Sequence, residues 1–215
     1  LNTESTATKP TPSVGGISLV DVHKNYQITD HDVAALSGVD LDISPGSIVG
    51  LTGQSGAGKS TLLHIIGTLD RPSQGSVTLN GTDVSIMDDK SISIFRNTTV
   101  GFVFQMNNLL NEFTAIENVM LPGLISGANK KQVMERAHKL LEAVGLGLRT
   151  EHRPGELSGG EQQRVAIARA LIMEPAQVFM GEMLLQIILS KNLSWLSFQL
   201  YVKQLNLLNL ILMLG

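Results

Sequence analysis

Residues Gly53-Gln54-Ser55-Gly56-Ala57-Gly58-Lys59-Ser60 place glycines, a lysine and a hydroxyl at the spacing G-x-x-x-x-G-K-S. Backbone N–H groups of such a loop converge on phosphate oxygens. A helix starting at its end adds partial positive charge at the same point. Glycines let the backbone come close and adopt positive φ. Lys59 would reach the outer phosphates of a nucleotide, and Ser60 would offer a hydroxyl to their Mg²⁺. Thr61 follows in the same first turn. The alternative is a Gly/Ser surface turn before an ordinary helix. The flanks favour the phosphate loop: the short apolar run Ser47–Leu51 reads as a strand, and a helical pattern starts near Lys59.

A second segment, Leu157-Ser158-Gly159-Gly160-Glu161-Gln162-Gln163-Arg164, opens another helix. Free N–H groups and a hydroxyl at a helix start suit an anion. Serine is also a good N-cap, so by itself this segment reads equally well as a capped helix start.

The elements that must position these segments can be read from periodicity. Ile17–Val22, Val39–Ile43, Ser47–Leu51, Ser76–Leu79, Val100–Phe104 and Gln177–Met180 read as strands, with an Asn80-Gly81 turn after the fourth. Helical spacing runs over Ala115–Leu121, Lys130–Val144 and Gly160–Met173. In the middle one, Val133, Ala137, Leu140, Leu141 and Val144 form one apolar stripe. Strands alternating with helices predict an α/β fold with a largely parallel sheet. Residues 1–16 are rich in Thr, Ser, Pro and Gly, lack a secretory apolar stretch and read as a disordered lead-in.

Composition narrows the chemistry. Cysteine is absent, which removes disulfides and thiolate metal sites. A net charge of −3 gives no electrostatic footing for nucleic acid. The five histidines show no metal-ligand spacing, and the eight methionines are scattered like packing residues. No run before residue 183 is long and apolar enough to cross a bilayer.

With these residues in view, the chain resembles the ATP-binding subunits of ABC transporters over about residues 17 to 182. Leu157–Gln163 looks like that family's signature motif, and Val165–Leu171 continues as its helix does. Gln105, after Gly101-Phe102-Val103-Phe104, looks like the Q-loop glutamine. Tyr26 sits where the family stacks an aromatic ring on adenine. The resemblance implies a P-loop NTPase fold with a small β-subdomain and a helical subdomain at about residues 105 to 160. It implies ATP and Mg²⁺ as cofactors, with Ser60 and Gln105 on the metal. It also implies a homodimer in which Ser158, Gly159, Gly160 and Gln162 of one copy meet the phosphate loop of the other. Transmembrane permease subunits are the expected partners, at the cytoplasmic face of a bacterial inner membrane.

Asn107–Ala115, Glu117–Pro122 and His152–Leu157 resemble the lipoprotein-releasing (Lol) ATPases, whose features overlap those of macrolide-export and cell-division ATPases. In the family this region docks on membrane subunits. Leu109, Leu110 and Phe113 also fit as core of the helical subdomain.

The resemblance ends abruptly. In Val178-Phe179-Met180-Gly181-Glu182, Glu182 matches the family's general base, or is a solvated carboxylate at a strand end. Gly181 stands where the family has an aspartate for Mg²⁺. Residues 183 to 215 hold no Asp, Glu, Pro, Ala or Thr, and leucine supplies 12 of these 33. The family's D-loop aspartate and switch histidine are missing, so turnover is expected to be impaired and the chain to be a non-catalytic nucleotide binder at the extreme. A shifted coding frame accounts best for Leu184-Leu185-Gln186-Ile187-Ile188-Leu189. A decayed relative with a new tail is the next reading, and a partner helix is last because no clean polar face exists.

Overall fold

The computed structural model describes residues 16–28, 31–104, 107–180 and 209–213. The lead-in before Gly16 and the run 181–208 lie outside the described residues. Two four-stranded sheets organise the rest.

The first sheet is antiparallel, in the order β2 (His31–Ile43), β1 (Ile17–Ile28), β4 (Gln74–Leu79), β5 (Thr82–Asp83). Its β4–β5 turn is the one expected from Asn80-Gly81. Both residues take positive φ, 51° and 77°, which suits a two-residue hairpin. Strands β1 and β2 run further than the alternation suggests. Beyond Val22 and before Val39 their residues are mostly polar or exposed, so periodicity stops while pairing continues, as in Tyr26 opposite Val33.

The second sheet is parallel, in the order β3 (Ser47–Leu51), β8 (Asn209–Met213), β7 (Gln177–Met180), β6 (Val100–Val103). Strand β7 is buried along its whole length, as a central strand covered on both faces must be. Its alternate side chains divide the interior. Phe179 joins a cluster with the antiparallel sheet and α1 (Lys59–Ile66), whereas Val178 and Met180 join the helices on the other side. Residues 209–213 of the leucine-rich tail insert between β3 and β7 and pair with both. For these residues the partner-helix reading is therefore replaced by a central strand, the conformation in which an apolar run satisfies its backbone groups against two neighbours.

The helices follow their caps. Helix α3 (Ala115–Ile125) starts at a Thr114–Glu117 capping box and α4 (Lys130–Ala143) at Asn129, whose side chain accepts from the Lys131 and Gln132 amides. The expected α4 stripe, Val133 through Val144, is buried in full. Helix α3 continues through Pro122 rather than stopping before it. Helix α5 (Gly159–Leu171) begins one residue earlier and ends two earlier than its pattern suggested. Helix α2 (Asp89–Thr99) has no counterpart in the periodicity. Ile92 and Ile94 alternate as in a strand, and only Ile92 is buried, so the Asp88 cap is its main local signal.

Candidate nucleotide-binding site

The phosphate loop joins the end of β3 to the start of α1. Gly58 is the last residue before the helix, at φ 82°. A Cβ at this position would lie 2.5 Å from the Ala35 carbonyl oxygen, so the loop approaches β2 as only glycine allows. Residues Thr52 to Ala57 and Ser60 are exposed, and Lys59 is half-buried. The Lys59 Nζ donates to the carbonyl oxygens of Gly53 at 2.6 Å and Gln54 at 3.1 Å. Its ammonium therefore lies folded over the loop it belongs to, against carbonyls that a phosphate oxygen would outcompete as a charged acceptor. The Ala57 amide closes a turn onto Gln54. Buried Leu62, Leu63, Ile65 and Ile66 anchor α1 beneath the loop. The loop, the half-buried ammonium and the helix start fit the phosphates of a nucleotide.

The fit to Mg²⁺ is poorer. Ser60 offers a hydroxyl from the first turn, but Gly181 has no side chain where the family has a carboxylate. Gln105 and Glu182, the expected metal ligand and general base, lie outside the described residues.

Tyr26, near the end of β1, is half-buried. Its hydroxyl donates to Asp70 Oδ2 at 2.9 Å, and Lys24 Nζ stands 4.9 Å from the ring centroid. Burial, then the hydrogen bond to Asp70, pushes the phenol above its ordinary value, with Thr61 of α1 acting in the opposite sense. The structure thus brings together Tyr26, Thr61 and the phosphate loop around α1.

The residues expected to form the signature lie elsewhere, at the start of α5, whose apolar face belongs to the other cluster. Ser158 caps the helix in a reciprocal box. Its N–H and hydroxyl each donate to Glu161 Oε2 at 2.8 Å. Those two bonds hold Glu161 below the usual carboxylate range. Ser158, Gly159 and Gly160 sit at an open helix N-terminus, Ser158 and Gly159 exposed and Gly160 half-buried. Gln162 turns the other way. Its amide donates to the carbonyls of Pro154 at 2.8 Å and Leu157 at 3.2 Å, so in this chain it braces the approach to the helix.

Three residues near these segments escaped the sequence reading. Asn118 is fully buried and clamps residues 110–114 through both ends of its amide. Arg169 donates to the carbonyls of Asn108 at 2.7 Å and Asn107 at 2.8 Å, tying α5 to the segment after Gln105. Burial pulls its guanidinium below the ordinary value. Asp70 binds Tyr26. A polar residue on an apolar helical stripe was the available signal for Asn118, whereas Arg169 and Asp70 look like ordinary exposed charges in sequence. Among the described residues no group of three or more His, Cys, Asp or Glu is arranged to hold a metal.

The ABC transporter family pattern matches residues 36–184. A lipoprotein-releasing system ATP-binding protein LolD from Syntrophus aciditrophicus is 51% identical over 159 residues, covering 74% of this chain and 71% of that protein. The LolD of Bacteroides thetaiotaomicron is 55% identical over 147 residues, 68% of this chain and 67% of that one. Among solved structures, the dimeric structure of the bacterial ABC transporter cassette MJ0796 superposes with a TM-score of 0.81 at 33% identity, covering 93% of this chain and 88% of that one. The same cassette in a dimeric post-hydrolysis state bound to ADP and Pi superposes with a TM-score of 0.80.

Proposed function

The chain belongs to the ABC transporter ATPase family, and on that premise we propose that it is the ATP-binding subunit of a lipoprotein-releasing exporter. The observation that carries this reading is the Lys59 ammonium folded over an exposed glycine loop at the start of α1. Binding would exchange the two carbonyl partners of Lys59 for the β- and γ-phosphates of ATP. Tyr26 would stack on the adenine. Two copies would then close head to tail, with Ser158, Gly159 and Gly160 of one facing the phosphate loop of the other. To receive a phosphate, the Ser158 hydroxyl must rotate away from Glu161. The helix would keep its start, because the Glu161 carboxylate still accepts from the Ser158 N–H.

The membrane side of the reading rests on residues 107–125. Leu110 and Phe113 are 44% and 37% exposed, which favours a docking role over core packing. A groove of about 440 Å³ is lined by Phe104, Asn108, Pro122, Ile125 and Arg169 among others. Transmembrane permease subunits of an inner membrane are the proposed occupants of this face. No described helix is long and apolar enough to cross a membrane itself.

Hydrolysis needs a metal held against the γ-phosphate and a water aligned for attack. When bound, Mg²⁺ neutralises phosphate charge. Of its expected protein ligands, Ser60 is present and the aspartate is Gly181. We assign residues 17–182 to the ATPase domain and residues 183–215 to a replaced tail, of which Asn209–Met213 nonetheless completes the domain's parallel sheet. The tail's origin in a shifted frame can be read by resequencing the gene across the codons for Glu182 and Met183. The proposed chain therefore binds ATP and turns it over slowly, since one lost electrostatic element costs ~10²–10³ in rate. Calorimetric ATP binding and steady-state ATPase, each with Lys59→Ala as the blank, test this. Binding equal to the blank would refute the site, and turnover at the rate of intact relatives would refute the impairment.

A further inference from the structure

Asp70 lies in the turn just after α1. Its carboxylate is fully engaged. Oδ1 accepts from Lys24 Nζ at 2.7 Å and from the Arg71 amide at 2.7 Å. Oδ2 accepts from the Tyr26 hydroxyl at 2.9 Å. Lys24 also donates to the Arg71 carbonyl at 2.9 Å, which fixes its ammonium beside the Tyr26 ring. The Asp70 amide bonds to the His64 carbonyl inside α1, so the carboxylate is rigidly attached to that helix.

These contacts have a geometric consequence. The Tyr26 ring hangs from β1 by its Cβ, and its far end is tied to the C-terminal end of α1 through Asp70. Thr61, which also interacts with the phenol oxygen, belongs to the first turn of the same helix, two residues after Lys59. One short helix thus holds both the phosphate loop and the attitude of the ring. Without the carboxylate, the phenol would keep only its interaction with Thr61 and Lys24 would lose its charged partner.

We propose that Asp70 is a positioning residue for base recognition: it fixes the Tyr26 ring, through the hydroxyl and through Lys24, in the orientation that receives the adenine of a nucleotide whose phosphates sit at Lys59. This rests on the reading of Tyr26 as the base platform. Asp70 itself touches neither base nor phosphate. It acts by removing the ring's freedom before binding, so that the ordering cost is not met at the moment of association.

The test compares two ligands on the full chain by calorimetry: ATP, which has a base, and inorganic tripolyphosphate, which has none. Asp70→Ala is expected to weaken ATP binding about three- to tenfold, the loss of one or two hydrogen bonds to a charged group offset by partial hydration. Tripolyphosphate affinity is expected to stay unchanged. Tyr26→Phe, which removes only the hydroxyl, should reproduce part of the ATP effect. In a Tyr26→Ala background, Asp70→Ala should add nothing for ATP, since the group it acts through is gone. Asp70→Asn, which keeps the shape and half the acceptors, gives the same direction with smaller size and serves if the alanine variant does not fold. Equal weakening of both ligands would make Asp70 a support of the loop and overturn the proposal. Unchanged ATP binding in the Asp70 variants, beside a weakened Tyr26→Ala, would overturn it while leaving the base platform standing. Unchanged ATP binding in Tyr26→Ala would remove the platform and the proposal with it.

Discussion

Replacing Asn118 by alanine should cost about 2–4 kcal/mol of stability, counting roughly three net hydrogen bonds at ~0.5–1.5 kcal/mol each. Asn118 is 0% exposed on a helix that otherwise buries apolar side chains. Its Oδ1 accepts from the Leu110 amide at 2.9 Å. Its Nδ2 donates toward the carbonyls of Leu110 at 3.0 Å, Phe113 at 3.1 Å and Thr114 at 3.0 Å. An amide has two hydrogens, so two of the three carbonyls share one, and the Thr114 carbonyl keeps its bond from the Asn118 backbone in any variant. That is why three bonds are counted and not four. Water can reach part of the exposed segment around Leu110 and Phe113, which moves the expected value toward the lower half of the range. Asn118→Leu separates the effects: it refills the volume without the bonds, so it should lose about as much as alanine. Urea unfolding followed by circular dichroism reads the midpoint, with an unchanged m-value. Hydrogen exchange of the 108–114 amides should speed up in parallel. A loss below about 0.5 kcal/mol in both variants would refute the clamp, because exchange with water alone would then satisfy those groups.

Three other outcomes are expected. Gly58→Ala should destabilise the fold by about 1–3 kcal/mol and weaken nucleotide binding, since its Cβ would press on the Ala35 carbonyl from a φ of 82°. Thermal melts and ATP titration check it, and a neutral variant would mean that the loop relaxes freely. Burial alone would push the Asp70 carboxyl up, but Lys24, Tyr26 and the Arg71 amide together hold it below its ordinary value. With a depressed folded value, its stabilisation is present above the unfolded carboxyl value of about 4 and is lost as pH falls through the lower folded value. Asp70→Asn should therefore flatten the acid limb of a stability–pH curve from about pH 4 down to the lower folded value, and an unchanged limb would contradict the pairing. Changing Leu110 and Phe113 together to polar residues should abolish association with membrane subunits while leaving the circular dichroism spectrum intact, because both side chains are already partly in water. Loss of the spectrum would assign them to the core.

The phosphate loop was legible because its chemistry is contiguous. One strand end, a glycine turn, a lysine and a helix start occupy consecutive positions, so residue types and order predict the strand–loop–helix arrangement without any long-range contact. The capped start of α5 was legible for the same local reason, as were the α4 stripe and the Asn80-Gly81 hairpin. The fold class followed from alternation of periods. What the sequence could not show is where tertiary contacts overrule periodicity. Polar stretches of β1 and β2 pair because a neighbouring strand accepts their backbone groups, and α2 forms with one buried side chain. Asp70 and Arg169 read as surface charges until the turn after α1 and the C-terminal half of α5 bring them to Tyr26 and to the 107–108 carbonyls. The tail is the sharpest case. Composition marks residues 183–215 as foreign to what precedes them, yet only the folded chain makes Asn209–Met213 the strand between β3 and β7. A parallel central strand takes its place from two partners distant in sequence, and nothing in its own residues names them.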